Sequence, residues 1–279
     1  MKKIIILISA LISCIFLSGC SVPVKEKVQS LEDAYFYILD KKEDMKIDDV
    51  ENLLKDYKLD IVDDSEVHDV EGEKSYGYRF GNDETYLNVG FIVSENNETI
   101  DFLEYHLDND KLILIADKGD EQWKYNISYS QLNKSICEKI LKEKNELGIS
   151  IQRKENQSSL EDACLYVIDS LSNDKNIKIE DVKKQLKDYS FESDLVEDEP
   201  EDNLKMYSYT FRNNDMESIT VTNTIQDNKE YISDIGYTVG KYPQLSIGAV
   251  SGDTTVNVDY YTSDKTTYEK AYDLINKLK

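Results

Sequence analysis

The chain has 279 residues, 56 of them acidic and 33 basic, for a formal charge of −23. Charge of that sign repels nucleic acid and anionic lipid headgroups, so no nucleic-acid partner is expected. Only three prolines, with 40% apolar residues in regular patterns, argue for folded structure and against disorder.

Lys2 and Lys3 precede an apolar run over residues 4–16, which closes on Leu17-Ser18-Gly19-Cys20. A positive n-region, an apolar h-region and small residues before a cleavage point follow the order of an export signal. The last four residues resemble the lipobox of the bacterial lipoprotein class, in which the Cys thiol is diacylated and the chain is cut before it. Carried onto this chain, the resemblance implies a signal peptide over residues 1–19 and cleavage between Gly19 and Cys20. Lipid on Cys20 would then hold the protein on the extracytoplasmic face of the cell membrane. An uncleaved anchor and a plain secretory signal are the alternatives. The apolar stretch through Gly19 is 16 residues long, short of the roughly 20 that span a bilayer. Cleavage removes two lysines and no acid, leaving a mature charge near −25, and residues 20–29 form a lipidated tether.

Beyond the tether the chain repeats itself. Ser30-Leu31-Glu32-Asp33-Ala34 returns as Ser159-Leu160-Glu161-Asp162-Ala163, and Leu54-Lys55-Asp56-Tyr57 returns unchanged as Leu186-Lys187-Asp188-Tyr189. Tyr76, Tyr78 and Phe80 match Tyr207, Tyr209 and Phe211, and Glu138-Lys139 matches Glu269-Lys270. Offsets stay between about 129 and 132 residues, a domain length and far too long for a solenoid unit. The expected organisation is one copy over residues 30–147, a polar linker over 148–158 and a second copy over 159–279, each folding alone.

Each copy opens with two helices. Ser30 with Asp33, and Ser159 with Asp162, have the form of a capping box. Leu31, Ala34, Tyr35, Ile38 and Leu39 follow helical spacing, as do Leu160, Ala163, Cys164, Val167 and Ile168. A second helix carries Ile47, Val50 and Leu54, matched by Ile179, Val182 and Leu186. Period-two segments follow around 76–80, 86–93, 99–107, 112–116 and 122–129, and around 207–211, 219–225, 231–239, 245–250 and 254–261. Short turns between them favour antiparallel pairing. A closing helix carries Leu132, Ile136 and Ile140, or Tyr268, Tyr272 and Ile275. The predicted fold is therefore α+β: two tandem α-α-β-β-β-β-β-α domains, each an antiparallel sheet packed under helices. This element order resembles that of the β-lactamase inhibitory protein family. It is also similar to small helix-pair-and-sheet lipoproteins of the outer-membrane assembly kind.

Motifs for chemistry are sparse. His68 lies in an acidic stretch and His106 on a predicted strand, with Thr238 at the matching place in the second copy; both histidines read as spectators. No nucleophile stands in a recognisable context, so the chain is not expected to be an enzyme, and no cofactor is expected. Asp108-Asn109-Asp110 and Asp117-Lys118-Gly119-Asp120 offer oxygen ligands without EF-hand spacing, compatible only with weak calcium binding. Cys137 and Cys164 fall on helical stripes and are expected as core thiols, a disulfide being the alternative. Glu197-Asp198-Glu199-Pro200-Glu201-Asp202 reads as a solvated loop.

Tyrosine is the bias that remains: 20 against seven Phe and one Trp. Tyrosines fill half-buried sheet positions, and they are also enriched at binding surfaces. On the second reading, Tyr86, Trp123 and Tyr125 would decorate an open sheet face. Together these features point to a membrane-anchored, non-enzymatic binding module for another protein. Capture of a small solute, peptide or cell-wall ligand is the alternative, and an exported hydrolase a more distant one.

Overall fold

In the computed structural model, residues 28–62, 74–94, 97–119, 122–151, 157–173, 175–213, 216–240, 244–251 and 255–278 are described. Cys20, Gly19 and His68 lie outside them. Ser30 Oγ accepts from Asp33 N at 3.0 Å and starts α1 (Leu31–Lys41); Ser159 Oγ accepts from Asp162 N at 3.1 Å and starts α4 (Leu160–Ser172). The short helices α2 (Ile47–Leu53) and α5 (Ile179–Gln185) follow. In each, an aspartate three residues on, Asp49 or Asp181, accepts from the residue before the helix. Helices α3 (Lys134–Glu143) and α6 (Lys265–Leu278) close the halves.

Among the described residues twelve strands run between the helices: β1 (Leu59–Val62), β2 (Lys74–Gly81), β3 (Tyr86–Ser94), β4 (Asn97–Leu107), β5 (Leu112–Lys118), β6 (Trp123–Leu132), β7 (Phe191–Glu199), β8 (Leu204–Asn213), β9 (Glu217–Gln226), β10 (Lys229–Val239), β11 (Leu245–Val250) and β12 (Val256–Thr262). All join one antiparallel sheet in the order β1-β2-β3-β4-β5-β6-β12-β11-β10-β9-β8-β7.

This corrects the expected fold class. The chain does not form two tandem five-stranded units, each with its own sheet. Six strands from each half merge into one, because β6 and β12 each satisfy the other's free edge. The additional strands β1 and β7 lie at the two ends of the sheet; β1 is only four residues long, and β7 is mostly acidic, so neither shows an alternating pattern for sequence periodicity to detect. Residues 197–199 of the expected acidic loop belong to β7, and a single 3-10 turn, Pro200–Asp202, follows.

The central pairing carries an internal two-fold. Ile127 pairs with Tyr260 and Tyr129 with Val258, matches that interchange at an offset of 131, so the Ser128–Asp259 pair sits at the axis. The closing helices cross over that axis. Helix α6 meets α1: Tyr35 and Tyr268 share a hydrogen bond at 2.8 Å, Tyr272 donates to Glu32, and Lys265 pairs with Asp40. Helix α3 meets α4 in the same way, with Lys134 bonded to Asp169 at 2.8 Å and Lys144 to Glu161 at 2.6 Å. Lys134 and Asp169 are the repeat equivalents of Lys265 and Asp40. Each half is therefore capped by the other, and a single apolar cluster runs from Leu31 to Ile275.

One sheet face receives the helices. Leu87, Leu103, Leu114, Ile127, Val258, Ile247, Tyr237 and Ile219 point into it and are fully buried. The alternate residues on the same strands point to the other face, which no helix among the described residues covers.

Candidate functional site on the uncovered sheet face

Strand register builds the site. Arg79, Asn88 and Glu104 stand side by side on β2, β3 and β4, and Tyr86 and His106 are direct partners one row away. Facing cross-strand neighbours lie close enough to stack, and the Tyr86 and His106 rings do so at 4.3 Å and 15°. The Arg79 guanidinium covers the outer side of Tyr86, 4.3 Å from its centroid. Arg79 Nε donates to Asn88 Oδ1 at 3.0 Å, and Asn88 Nδ2 donates to Glu104 Oε2 at 2.8 Å.

His106 is buried between two carboxylates. Its Nδ1 bonds to Asp110, and its Nε2 lies 3.0 Å from Glu104 Oε1, close but not aligned as a hydrogen bond. Asp110 reaches back because residues 108–110 all turn with positive φ, between 53° and 65°. Burial lowers the His106 pKa, but contact with Glu104 and Asp110 outweighs it and leaves the imidazole above its ordinary value. Burial likewise raises Glu104, and contact with His106, the bond from Asn88 and the Arg79 charge bring it below the usual range. Two flanking carboxylates favour the charged form of the imidazole against its burial. Among the described residues no hydroxyl or thiol is hydrogen-bonded to His106.

A bulge shapes the neighbouring surface. Gly90 pairs with Phe102 and Phe91 with Ile100, so Asp101 is the extra residue, and it joins Phe102 over Gly90. A Cβ at residue 90 would meet Phe102 Cβ at 3.0 Å and Asp101 Oδ1 at 3.1 Å, hence glycine. Gly77, paired with Gly90, continues the bare floor, and a cavity of about 300 Å3 lies above it, with Arg79, Glu104 and Phe102 in its lining. Burial in this wall raises the Asp101 carboxyl.

The second half carries different chemistry on the same face. Hydroxyls replace the charged network: Thr210 to Thr220 at 3.1 Å, Ser218 to Thr238 at 2.7 Å, and Thr224 to Ser233 at 2.7 Å. Thr238 stands where His106 stands in the first half. Gly236 and Gly248 are partners beside them.

The residues singled out from sequence do not form one face. Tyr86 is on the uncovered side. Tyr125 is 5% exposed beneath the helices, its ring 5.1 Å from that of Tyr268. Trp123 shares Tyr125's side, donates from Nε1 to Glu43 at 3.2 Å, and has Lys42 above its ring at 4.9 Å. Period two separates 86 from 123 and 125 once the strands are in register, so the expected trio is corrected to Tyr86 with Arg79, Asn88, Glu104, His106 and Asp110. Arg79, Asn88, Glu104 and His106 each stand one position from a core residue, Phe80, Leu87, Leu103 or Tyr105, whereas Asp110 lies in the exposed turn after β4.

Cys137 and Cys164 are free and buried; burial raises the Cys137 thiol to about 12 and Cys164 also upward. Among the described residues no group of three or more His, Cys, Asp or Glu is arranged to hold a metal ion, and no helix is long and apolar enough to cross a membrane. Asp120 lies outside the described residues. Comparison of the chain with protein-family models, with curated proteins and with solved structures gives no match.

Proposed function

We propose that this chain is a membrane-anchored lipoprotein, held on the extracytoplasmic face by lipid on Cys20, and that it binds another protein through the uncovered face of its sheet. The observation that carries the reading is the Arg79–Tyr86–His106–Glu104 network. Stacking and hydrogen bonds fix amphipathic side chains in place without burying them under helices, so little rotamer entropy remains to be lost on contact. Aromatic and arginine side chains are also the groups enriched among binding hot spots.

Crosslinking from intact cells tests both parts, with the native protein as bait. A single stoichiometric partner, lost with Tyr86→Ala and with Arg79→Ala, is the expected result. Replacing Cys20 by Ala should move the protein out of the membrane fraction. Retention of the partner by both face variants would move the interface elsewhere.

The cavity above Gly77 and Gly90 favours a second reading, capture of a small ligand or peptide. A ligand-dependent rise in melting temperature, absent in Gly90→Leu, would support it.

A further inference from the structure

Strand β7 ends the sheet, and among the described residues no strand lies beyond it. It is nine residues long against four for β1 at the other end, and every residue except Glu197 is exposed. A bulge at Val196 interrupts the strand between Leu195 and Glu197, and the regular run over 191–195 ahead of it offers a row of unpaired N–H and C=O groups, the template on which a further strand adds. Its apolar side chains are exposed too: Phe191 at 45%, Leu195 at 53% and Val196 at 61%.

The charge on this edge is one-sided. Glu192, Asp194, Glu197, Asp198 and Glu199 lie on β7, and Asp202 follows in the 3-10 turn. Among the described residues these acids hold one cation, Lys205 on Asp198 at 3.2 Å. A hydrogen bond shared with Glu197, then the charges of Glu197 and Asp202, raise the Glu199 carboxyl, as crowding without a counter-charge does. A second copy is a poor occupant: β7 against β7 would face carboxylates with carboxylates. The segment leading on from β1, residues 63–73, carries Asp63, Asp64, Glu66, Asp69, Glu71 and Glu73.

From the exposed backbone edge and its charge we infer that β7 is a docking edge for a basic, extended segment of a partner protein, which adds as the next strand of the sheet. Main-chain hydrogen bonds to β7 supply the affinity. Lysine or arginine side chains against Glu192, Asp194, Glu197 and Glu199, which the register places on one face, supply selectivity, and apolar residues on the other face meet Phe191 and Leu195. The inference rests on β7 alone and is independent of the uncovered face.

The probe is a peptide of about ten residues alternating Lys and Val, long enough to span β7. Two derivatives are N-methylated at alternate residues, one on each edge of the peptide strand; charge and side chains are unchanged. Titration calorimetry with the full mature protein should show binding of the parent peptide. Methylation of one edge should weaken it at least about tenfold, and methylation of the other should leave it nearly intact. Amide exchange should slow within 191–199. A triple variant on the carboxylate face, Glu192→Lys, Asp194→Lys and Glu197→Lys, should lose this peptide and accept the Glu–Val equivalent. Equal behaviour of the two methylated peptides would reduce the contact to charge attraction and overturn the inference. Absence of parent binding, or exchange protection outside β7, would overturn it as well.

Discussion

Tyr35 and Tyr268 share one hydrogen bond of 2.8 Å in the core, and at the repeat-equivalent positions of the other half stand Cys164 and Cys137. The two contacts occupy the same place in α1–α6 and in α4–α3. Two thiols are small and make weak hydrogen bonds, so they simply fill space; two phenols must satisfy each other. Burial and the neighbouring phenol push Tyr268 well above its ordinary pKa. One side of the molecule therefore joins its halves by a polar pair, the other by an apolar one.

Tyr35→Phe leaves the Tyr268 hydroxyl buried without that partner. Loss of about 1–3 kcal/mol is expected from urea unfolding. The double variant Tyr35→Phe, Tyr268→Phe should lose less than the sum of the two single changes, since it removes both polar groups together. Strict additivity would mean that the bond contributes nothing of its own.

How the elements were legible follows from which forces mark a sequence locally. Helix α1 shows in residues 31–39 and its cap in Ser30 and Asp33, because both are contacts within one turn. Strands with one buried face, such as β5 with Leu112, Leu114 and Ala116, show by alternation. The merger of two sheets does not show. It depends on β6 meeting β12, a long-range pairing in which Ile127 and Tyr260 look like any other core pair. Nor do β1, only four residues long, and β7, whose exposure removes the pattern. The site was legible only in part: Tyr86 and His106 drew notice singly, but their partnership needs the β3–β4 register.

Separated halves test the crossed caps. A fragment of residues 157–279 exposes the inner edge of β12 and the face of α6 that α1 covers. It should run as a dimer by light scattering, with two β12 strands meeting as β12 and β6 do in the whole chain. Disruption of β12 by Val258→Pro should leave it monomeric and unfolded. A fragment that is monomeric and unfolds cooperatively would contradict the shared core.

Histidine 106 makes stability depend on pH above its unfolded value, about 6.5. Its folded pKa is raised by Glu104 and Asp110 against the effect of burial. The stabilisation from the charged form is complete below the unfolded pKa and is lost as pH rises through the folded one. Urea midpoints should therefore fall between mildly acidic and mildly alkaline pH, and His106→Gln should flatten that fall. Glu104 acts at the other end: its folded pKa is depressed, so its share is present above about 4.5 and is lost as pH drops below that. A His106→Gln profile parallel to the native one over the upper range would show that the imidazole is not the titrating group.

Two glycines on the uncovered face should respond oppositely to alanine. At Gly90 the new methyl meets Phe102 Cβ at 3.0 Å and Asp101 Oδ1 at 3.1 Å, so the bulge must shift, at a cost of about 1–3 kcal/mol. At Gly236 it meets nothing within 4 Å, and the backbone conformation is one that any residue adopts. Alanine there should be neutral or stabilise by up to about 1 kcal/mol, through loss of unfolded-chain entropy. Unfolding in urea separates the two outcomes. If Gly90→Ala proves as harmless as Gly236→Ala, the wall of Asp101 and Phe102 yields easily. The same variant then decides whether that wall shapes binding: its partner affinity should follow its stability only if the bulge is rigid.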